Sequence, residues 1–420
     1  MTDAPGRSLA RVARPRDSAF RRLLLPGRDD FWRLWFVGLV VFVVRWLETV
    51  AIGVVVYQRT GSAFLVAMMT MLRLLPMGLF GAFLGAAAER IERRTTLIAV
   101  VLLMGATSGT LAVLAHAGRL QVWHLALASF LNGVGWATDN PVRRVMIGEV
   151  VGAGQMSTAM SIDVGANNAS RMVGPIIGGL LLAGIGIDGA FMLSVVLYCG
   201  ALLAALRVTY RNTALPTDAG SVLARIRDGL ILVRTDRRLV GTLVVTVIYN
   251  VFAWPYTSMI PVIGRDRLGL GPTGVGMLAS LDGIGAFCGA MLAAMFLRPA
   301  WYSRVYLGGV ALYLVALTVF ALVPNPLVAG GALLVTGLGG AGFSIMQATL
   351  VYLAAPPDMR SRLLGVLSVC IGVGPVGFVG LGLLADAIGA HHATAAMGFA
   401  GLLVLAAAWP LWRPTLRGRG

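Results

Sequence analysis

The sequence of 420 residues predicts an all-α membrane protein: twelve transmembrane helices in two parallel six-helix repeats. Three observations lead there. The chain is 58% hydrophobic and only 12% charged, where soluble domains carry about 25% charged residues. Its apolar blocks run almost unbroken for roughly twenty residues or more, the length that crosses a bilayer as a helix. One long polar stretch divides these blocks six and six. A closed barrel would show short alternating segments instead, and lipid offers the backbone no hydrogen bonds that would permit a third solution.

The expected spans fall at 32–57, 63–88, 95–117, 121–142, 156–185, 189–207, 239–262, 273–297, 305–323, 326–354, 364–386 and 393–412. Before them lies a basic tail, 1–31, containing "RSLARVARPRDSAFRR". The apolar run that follows is too long for a removable signal and lacks a small-residue cleavage site. The tail is expected to help set topology from the cytoplasmic side, with anchoring to anionic lipid as the alternative. The first half is expected over 32–207, a cytoplasmic linker over 208–238, the second half over 239–412 and a short tail over 413–420.

All 34 basic residues are Arg. The lack of Lys excludes a P-loop and a Schiff-base lysine. With the N-terminus inside, about 27 of the 34 Arg fall on the inner side. The outer loops keep Arg59, Arg119, Arg265 and Arg267. This bias places both termini in the cytoplasm. It makes the net charge of +16 a topology signal and excludes a nucleic-acid partner. Cys199, Cys288 and Cys370 sit in separate spans and provide no disulfide framework. His116, His124, His391 and His392 have no companions at metal-ligand spacing. Neither metal nor cofactor is expected, nor any enzymatic activity.

The halves echo each other. Span 5 reads "GPIIGGLLL" from Gly174 and span 11 reads "GPVGFVGLGLL" from Gly374, at the same ordinal place in each set. Parallel repeats around a central cavity are a transporter architecture. Pro175, Pro255, Pro261 and Pro375 are candidate bends.

Charges inside the spans are the sharpest functional signal. In "VVFVVRWLETVAIGVV" Arg45 and Glu48 share one helix face. Each costs roughly 2.5–3.5 kcal/mol at the bilayer centre, so both should face the bundle interior. Asp163, Asn167 and Arg171 recur every fourth residue on span 5. Span 4 offers Asn132, Trp136 and Asp139; span 7 offers Tyr249, Asn250, Trp254 and Tyr256; span 8 offers Asp282; span 10 offers Ser344 and Gln347. Glu48 is the first candidate for a proton-carrying carboxylate and Asp282 the second, because no cation is near Asp282 in sequence. Arg45 and Arg171 are candidates for an anionic substrate group, or for pairing with Glu48 and Asp163. The alternative is that all these charges are static pairs that hold helices in register.

The loop "GAAAERIERR" is similar to the G-x-x-x-D-R-x-G-R-R loop of the major facilitator superfamily, which the chain resembles over essentially its whole length. Gly85, Arg90, Arg93 and Arg94 match; Glu89 stands for the usual Asp and Glu92 for the usual Gly. "WLETVAIGVVVYQRTGSA", "NNASRMVGPIIGGLLL" and "PPDMRSRLLGVL" resemble the bacterial branch that contains the enterobactin exporter and macrolide efflux proteins. Gly174, Pro175, Gly178 and Gly179 resemble the span 5 motif of proton antiporters. The resemblance implies a cavity lined by spans 1, 4, 7 and 10. It also implies a cytoplasmic latch in which Glu89 meets span 11, with Arg143 as a further partner. It points to a monomeric exporter in a bacterial plasma membrane, moving a siderophore, macrolide or other small amphipathic molecule by proton antiport. Nutrient or lysolipid import on the same fold, and a membrane sensor or scaffold that transports nothing, are the rival readings.

Overall fold

The computed structural model describes residues 29–90, 92–152, 155–211, 233, 236–355 and 359–416. Among them every regular element is helical. The first six are α1 (Asp29–Thr60), α2 (Ala63–Arg90), α3 (Arg93–His116), α4 (Val122–Val151), α5 (Met156–Gly184) and α6 (Gly186–Leu206). After the segment 207–236 come α7 (Arg237–Asp266), α8 (Pro272–Phe296), α9 (Tyr302–Leu322) and α10 (Pro326–Ala354). The chain closes with α11 (Arg360–Ile371), α12 (Gly374–Ile388), α13 (Ala390–Ala407) and α14 (Trp409–Leu416). Of the expected tails and linker, residues 1–28, 212–232, 234–235 and 417–420 lie outside the described residues.

Nine of the described helical stretches are long and apolar enough to cross a membrane: α1, α3, α6, α7, α8, α9 with its preceding turn, α10, the α11–α12 stretch Gly365–Ile388, and α13. The other three expected spans are helices as well. The apolar part of α2 is Ala63–Leu79. In α4 and α5 the hydropathy is lowered by Asp139, Arg143, Asp163 and Arg171, all within the helices.

The prolines act unequally. In α7 the regular ladder gives way to a π-turn at Tyr249–Ala253 and a 3-10 segment at Trp254–Met259. Pro255 has no N–H to donate and its ring crowds the preceding turn, and the Trp254 N–H reaches back five residues to the Tyr249 carbonyl. Gly374-Pro375 starts α12 after a break at residues 372 and 373. Pro175, by contrast, lies within a helix that continues to Gly184.

Glycines set how closely the helices approach. A Cβ at Gly178 would meet the Leu47 carbonyl of α1 at 2.6 Å, and one at Gly174 would meet Trp46 at 2.7 Å. On the α8 side, a Cβ at Gly179 would meet the Pro272 carbonyl at 2.6 Å, one at Gly276 the Pro175 carbonyl at 2.4 Å, and one at Gly283 the Arg171 carbonyl at 2.6 Å. Thus α5 is wedged between α1 and α8, backbone against backbone. Small residues drive helix association where lipid supplies no hydrophobic force. α2 meets α12 in the same way: a Cβ at Gly382 would lie 3.1 Å from the Phe64 Cα.

Candidate functional site

Buried charge gathers at three nodes in the bundle. The first surrounds Glu48, which is 1% exposed. Its carboxylate accepts from the Ser108 hydroxyl of α3 at 2.7 Å and from the Asn132 amide of α4 at 3.0 Å. Arg73 of α2 stands 3.6 Å away as its ion-pair partner. Arg73 is anchored by donating to the Arg45 carbonyl and the Thr49 hydroxyl, each at 2.7 Å. Gly133 permits the convergence of α2 and α4, because any Cβ there would lie 2.3 Å from the Arg73 carbonyl. Three other helices therefore contribute polar groups to the surroundings of a single carboxylate on α1.

Arg45 is not the cation that pairs with Glu48, although the two share a helix face. Its guanidinium lies 3.8 Å from the centre of the Trp136 ring and 5.3 Å from that of Trp46. Among the described residues it forms no ion pair and donates no hydrogen bond. Arg45, Glu48, Arg73, Asn132 and Trp136 line a cavity of about 10 Å³, room for roughly one water.

The second node is Arg143, fully buried on α4. It donates to Asp139 one turn earlier, at 3.2 and 3.3 Å, and to Asp163 of α5. Asp163 also receives Arg144 at 3.3 Å. Gly38 of α1 leaves the space: a Cβ there would lie 2.3 Å from an Arg143 nitrogen. Asp163 is thus claimed by Arg143 and Arg144, and Arg171 pairs elsewhere. The side chain of Glu89, the expected latch partner of Arg143, lies outside the described residues.

The third node joins Arg171 of α5 to Asp282 of α8. The cation that is remote from Asp282 in sequence is supplied across the glycine-lined α5–α8 contact. Arg171 also lies 5.6 Å from the Trp46 ring centre. Asn167, one turn before it, is half-buried, and its carbonyl accepts from Ser170.

The span 7 aromatics are packed inside the second set of helices. Tyr249 stacks on Phe343 with centroids 3.7 Å apart and meets Tyr313 edge-on at 4.8 Å; Tyr256 meets Tyr313 at 5.6 Å. Asn250 is buried and donates back to the Thr246 carbonyl at 2.8 Å. Trp254 is half-buried against Gly374 and Phe378 of α12. Gln347 is half-buried, with a side-chain oxygen that has no donor among the described residues. Ser344 bonds within its own helix.

At one end of the bundle Arg93 donates to both oxygens of Glu149, and Arg94 caps the end of α6 by donating to the Leu206 and Val208 carbonyls at 2.7 and 2.8 Å. Gly85, Glu89 and Arg90 of the expected latch lie outside the residues whose side chains are described. At the opposite end, contacts cross between the two sets of helices. Tyr57 of α1 donates to Asp266 of α7. Asp386 of α12 accepts from Ser62 at 2.9 Å and from the Phe64 N–H at 3.0 Å, at the start of α2.

The sequence reading did not rank Arg73, Thr49, Ser108, Gly38 or Asp386. Arg73 carried a signal, as a third Arg inside a span. The others are ordinary membrane-helix or loop residues whose roles follow only from which helices touch.

A bundle of membrane-length helices with paired charges inside it fits a membrane transporter of the major facilitator type. The profile of the transmembrane secretion effector family matches residues 24–417, and the chain belongs to that family. It is 28% identical over 391 residues to the multidrug efflux pump Tap of Mycolicibacterium fortuitum, covering 90% of this chain and 94% of that one. It is 21% identical over 372 residues to macrolide efflux protein A of Streptococcus pyogenes, covering 86% and 91%. Among solved structures, an inward-facing, unoccupied bacterial homologue of the human lysosomal transporter Spinster superposes with a TM-score of 0.70 at 15% identity, covering 96% of this chain and 98% of that one. The nucleoside transporter NupG superposes at 0.74 with 11% identity, covering 91% and 99%. These structural likenesses establish the fold.

Proposed function

We propose that this chain is a secondary-active exporter that moves a small amphipathic molecule out of a bacterial cytoplasm by proton antiport, with Glu48 as the proton carrier. The observation that carries the reading is the Glu48 node. A carboxylate buried in the bundle is held by two neutral donors, Ser108 and Asn132, and by a cation at 3.6 Å rather than in tight contact. Such a group exchanges a proton without dismantling its surroundings. Asn132 assists, since its side-chain oxygen has no donor in this state. When Glu48 takes up a proton, an Asn132 amide turned over would accept from it, and one side chain serves both charge states. Protonation also cancels the attraction to Arg73, so Arg73 is released towards its anchors on α1. Asp282 is less suited to this task, because Arg171 contacts it directly.

Movement follows the family's alternating access, with the six-helix halves at 32–207 and 239–412 rocking about this centre. The Arg bias supports a cytoplasmic side for the Arg93–Arg94 end. Tyr57–Asp266 and the Asp386 contacts then close the outer side, and the cavity of about 10 Å³ is a closed form of the substrate path. The names of the efflux relatives support export as the direction.

The test is flux in proteoliposomes under an imposed proton gradient, comparing wild type with Glu48→Gln on siderophores, macrolides, lipophilic cations and amphipathic anions. Gradient-driven movement of one compound, absent in Glu48→Gln while its binding persists, supports the reading. Equal flux in both proteins makes Glu48 structural.

A further inference from the structure

We infer that the substrate, or the group by which it is recognised, is anionic, and that the Arg45 guanidinium, framed by Trp46 and Trp136, receives it. This rests on the exporter reading only for the meaning of "substrate"; the binding site itself is argued from geometry.

The nodes around Arg45 do not balance. Three guanidiniums, Arg45, Arg73 and Arg171, are linked through shared contacts: Arg73 donates to the Arg45 carbonyl, and Trp46 lies 5.3 Å from Arg45 and 5.6 Å from Arg171. They face two carboxylates, Glu48 and Asp282, and each of those is matched, to Arg73 and Arg171 respectively. Arg45 is left over. An intramembrane cation normally pairs with a carboxylate or with backbone carbonyls, and Arg45 does neither among the described residues. Its Cζ lies over the Trp136 ring instead, 3.8 Å from the centre. Its nitrogens donate to nothing among the described residues, and a guanidinium in that condition can bind a carboxylate or phosphate in two-pronged fashion.

Among the described residues, the unpartnered polar atoms of these nodes are four donors against two acceptors, the Asn132 and Asp282 side-chain oxygens. The Trp46 and Trp136 indole N–H groups, one Arg73 nitrogen and the Arg171 Nε are buried donors without acceptors among the described residues. A buried unsatisfied donor costs about 1–3 kcal/mol. A ligand that brings several acceptor oxygens and a negative charge would relieve both imbalances, whereas an amine would add to them. The flanking indoles suit an aromatic or apolar body attached to the anionic group. The ligand class is therefore an amphipathic organic anion with a flat or apolar body and one carboxylate, phosphate or sulfate.

The test is equilibrium dialysis of purified full-length protein with three probes of one shape: radiolabelled 1-naphthylacetate, neutral 1-naphthylacetamide and cationic 1-naphthylethylamine. No proton gradient is applied. Wild type should bind the anion at least about tenfold more tightly than the amide, the order expected for one charge-assisted pair. Arg45→Gln should abolish the preference and Arg45→Lys should keep part of it. Arg119→Gln, at an exposed position in the turn after α3, controls for the general attraction of a basic protein and should leave the preference intact. Elution of each variant as a single species in gel filtration shows that it is folded. A preference that survives Arg45→Gln, tighter binding of the amine, or no saturable anion binding overturns the inference. An anionic lipid headgroup has the same chemistry as a free anion. Displacement of the probe by lysophosphatidylglycerol at lower concentration than by unlabelled naphthylacetate assigns the site to lipid, and the reverse order assigns it to a solute; both support an anion at Arg45. Because binding is read without a gradient, anion binding without proton-driven flux would remove the exporter reading and leave this one standing. Proton-driven flux of the amine alone would do the opposite.

Discussion

Glu48 and Arg73 show why a single residue inside the bundle cannot be judged by its own cost. Each is expensive in lipid, yet together both carboxylate oxygens of Glu48 accept a hydrogen bond, from Ser108 and Asn132, and Arg73 stands 3.6 Å away while it donates to Thr49. Removing one member of a buried pair leaves the other charge uncompensated, at about 3–5 kcal/mol. Arg73→Gln is therefore expected to lower the thermal midpoint of the detergent-solubilised protein markedly, and the double variant with Glu48→Gln should recover most of the loss. A double variant as unstable as the sum of the two singles would show that the pair contributes no coupling. At Gly38 the argument is one of volume. The Cβ of Gly38→Ala would occupy the place of the Arg143 guanidinium, and repacking a filled interior costs about 1–3 kcal/mol. Gly38→Ala should thus be less stable than wild type, and an unchanged midpoint would mean that the Arg143 node shifts without loss.

At the scale of elements, α5 is the part that relates the two sets of helices. Gly174 and Gly178 turn to α1, and Gly179 turns to α8. The sequence motif thus has two faces with different duties. Gly179→Val forces the Pro272 carbonyl away, and it is expected to separate α5 from α8 and weaken the Arg171–Asp282 contact. Gly184→Val at the same helix's end, where a Cβ meets nothing within 4 Å, should be tolerated. Comparable expression and thermal midpoints for the two variants would contradict this. Asp386 belongs to the same scale: its two contacts tie α12 to the start of α2. In a cysteine-free background, Ser62→Cys with Asp386→Cys should cross-link under oxidation and arrest transport, with activity restored by reduction. Full activity while cross-linked would mean that this end does not open.

For the whole molecule, the sequence carried the helical class, the family and the approximate span positions, because hydropathy is a property of consecutive residues. It identified Glu48, Asp139, Asp163 and Asp282 as inward-facing charge for the same reason, since a charge inside an apolar run must turn inward. The partners were not legible. Arg73 with Glu48, Arg143 with Asp163 and Arg171 with Asp282 join residues 20 to 111 positions apart, through contacts made by glycines whose facing helices no local pattern names. Helix-face spacing placed Arg45 beside Glu48, and the rings of Trp46 and Trp136 hold it instead.

The account turns on whether Glu48 carries the proton. The most direct measurement is the internal pH of pyranine-loaded proteoliposomes when a transported compound is added under a proton gradient. Wild type should show proton movement opposite to the compound and stoichiometric with it, and Glu48→Gln should bind the compound yet move neither. Proton movement of equal rate in Glu48→Gln would contradict the account and make the Glu48–Arg73 pair a structural tie.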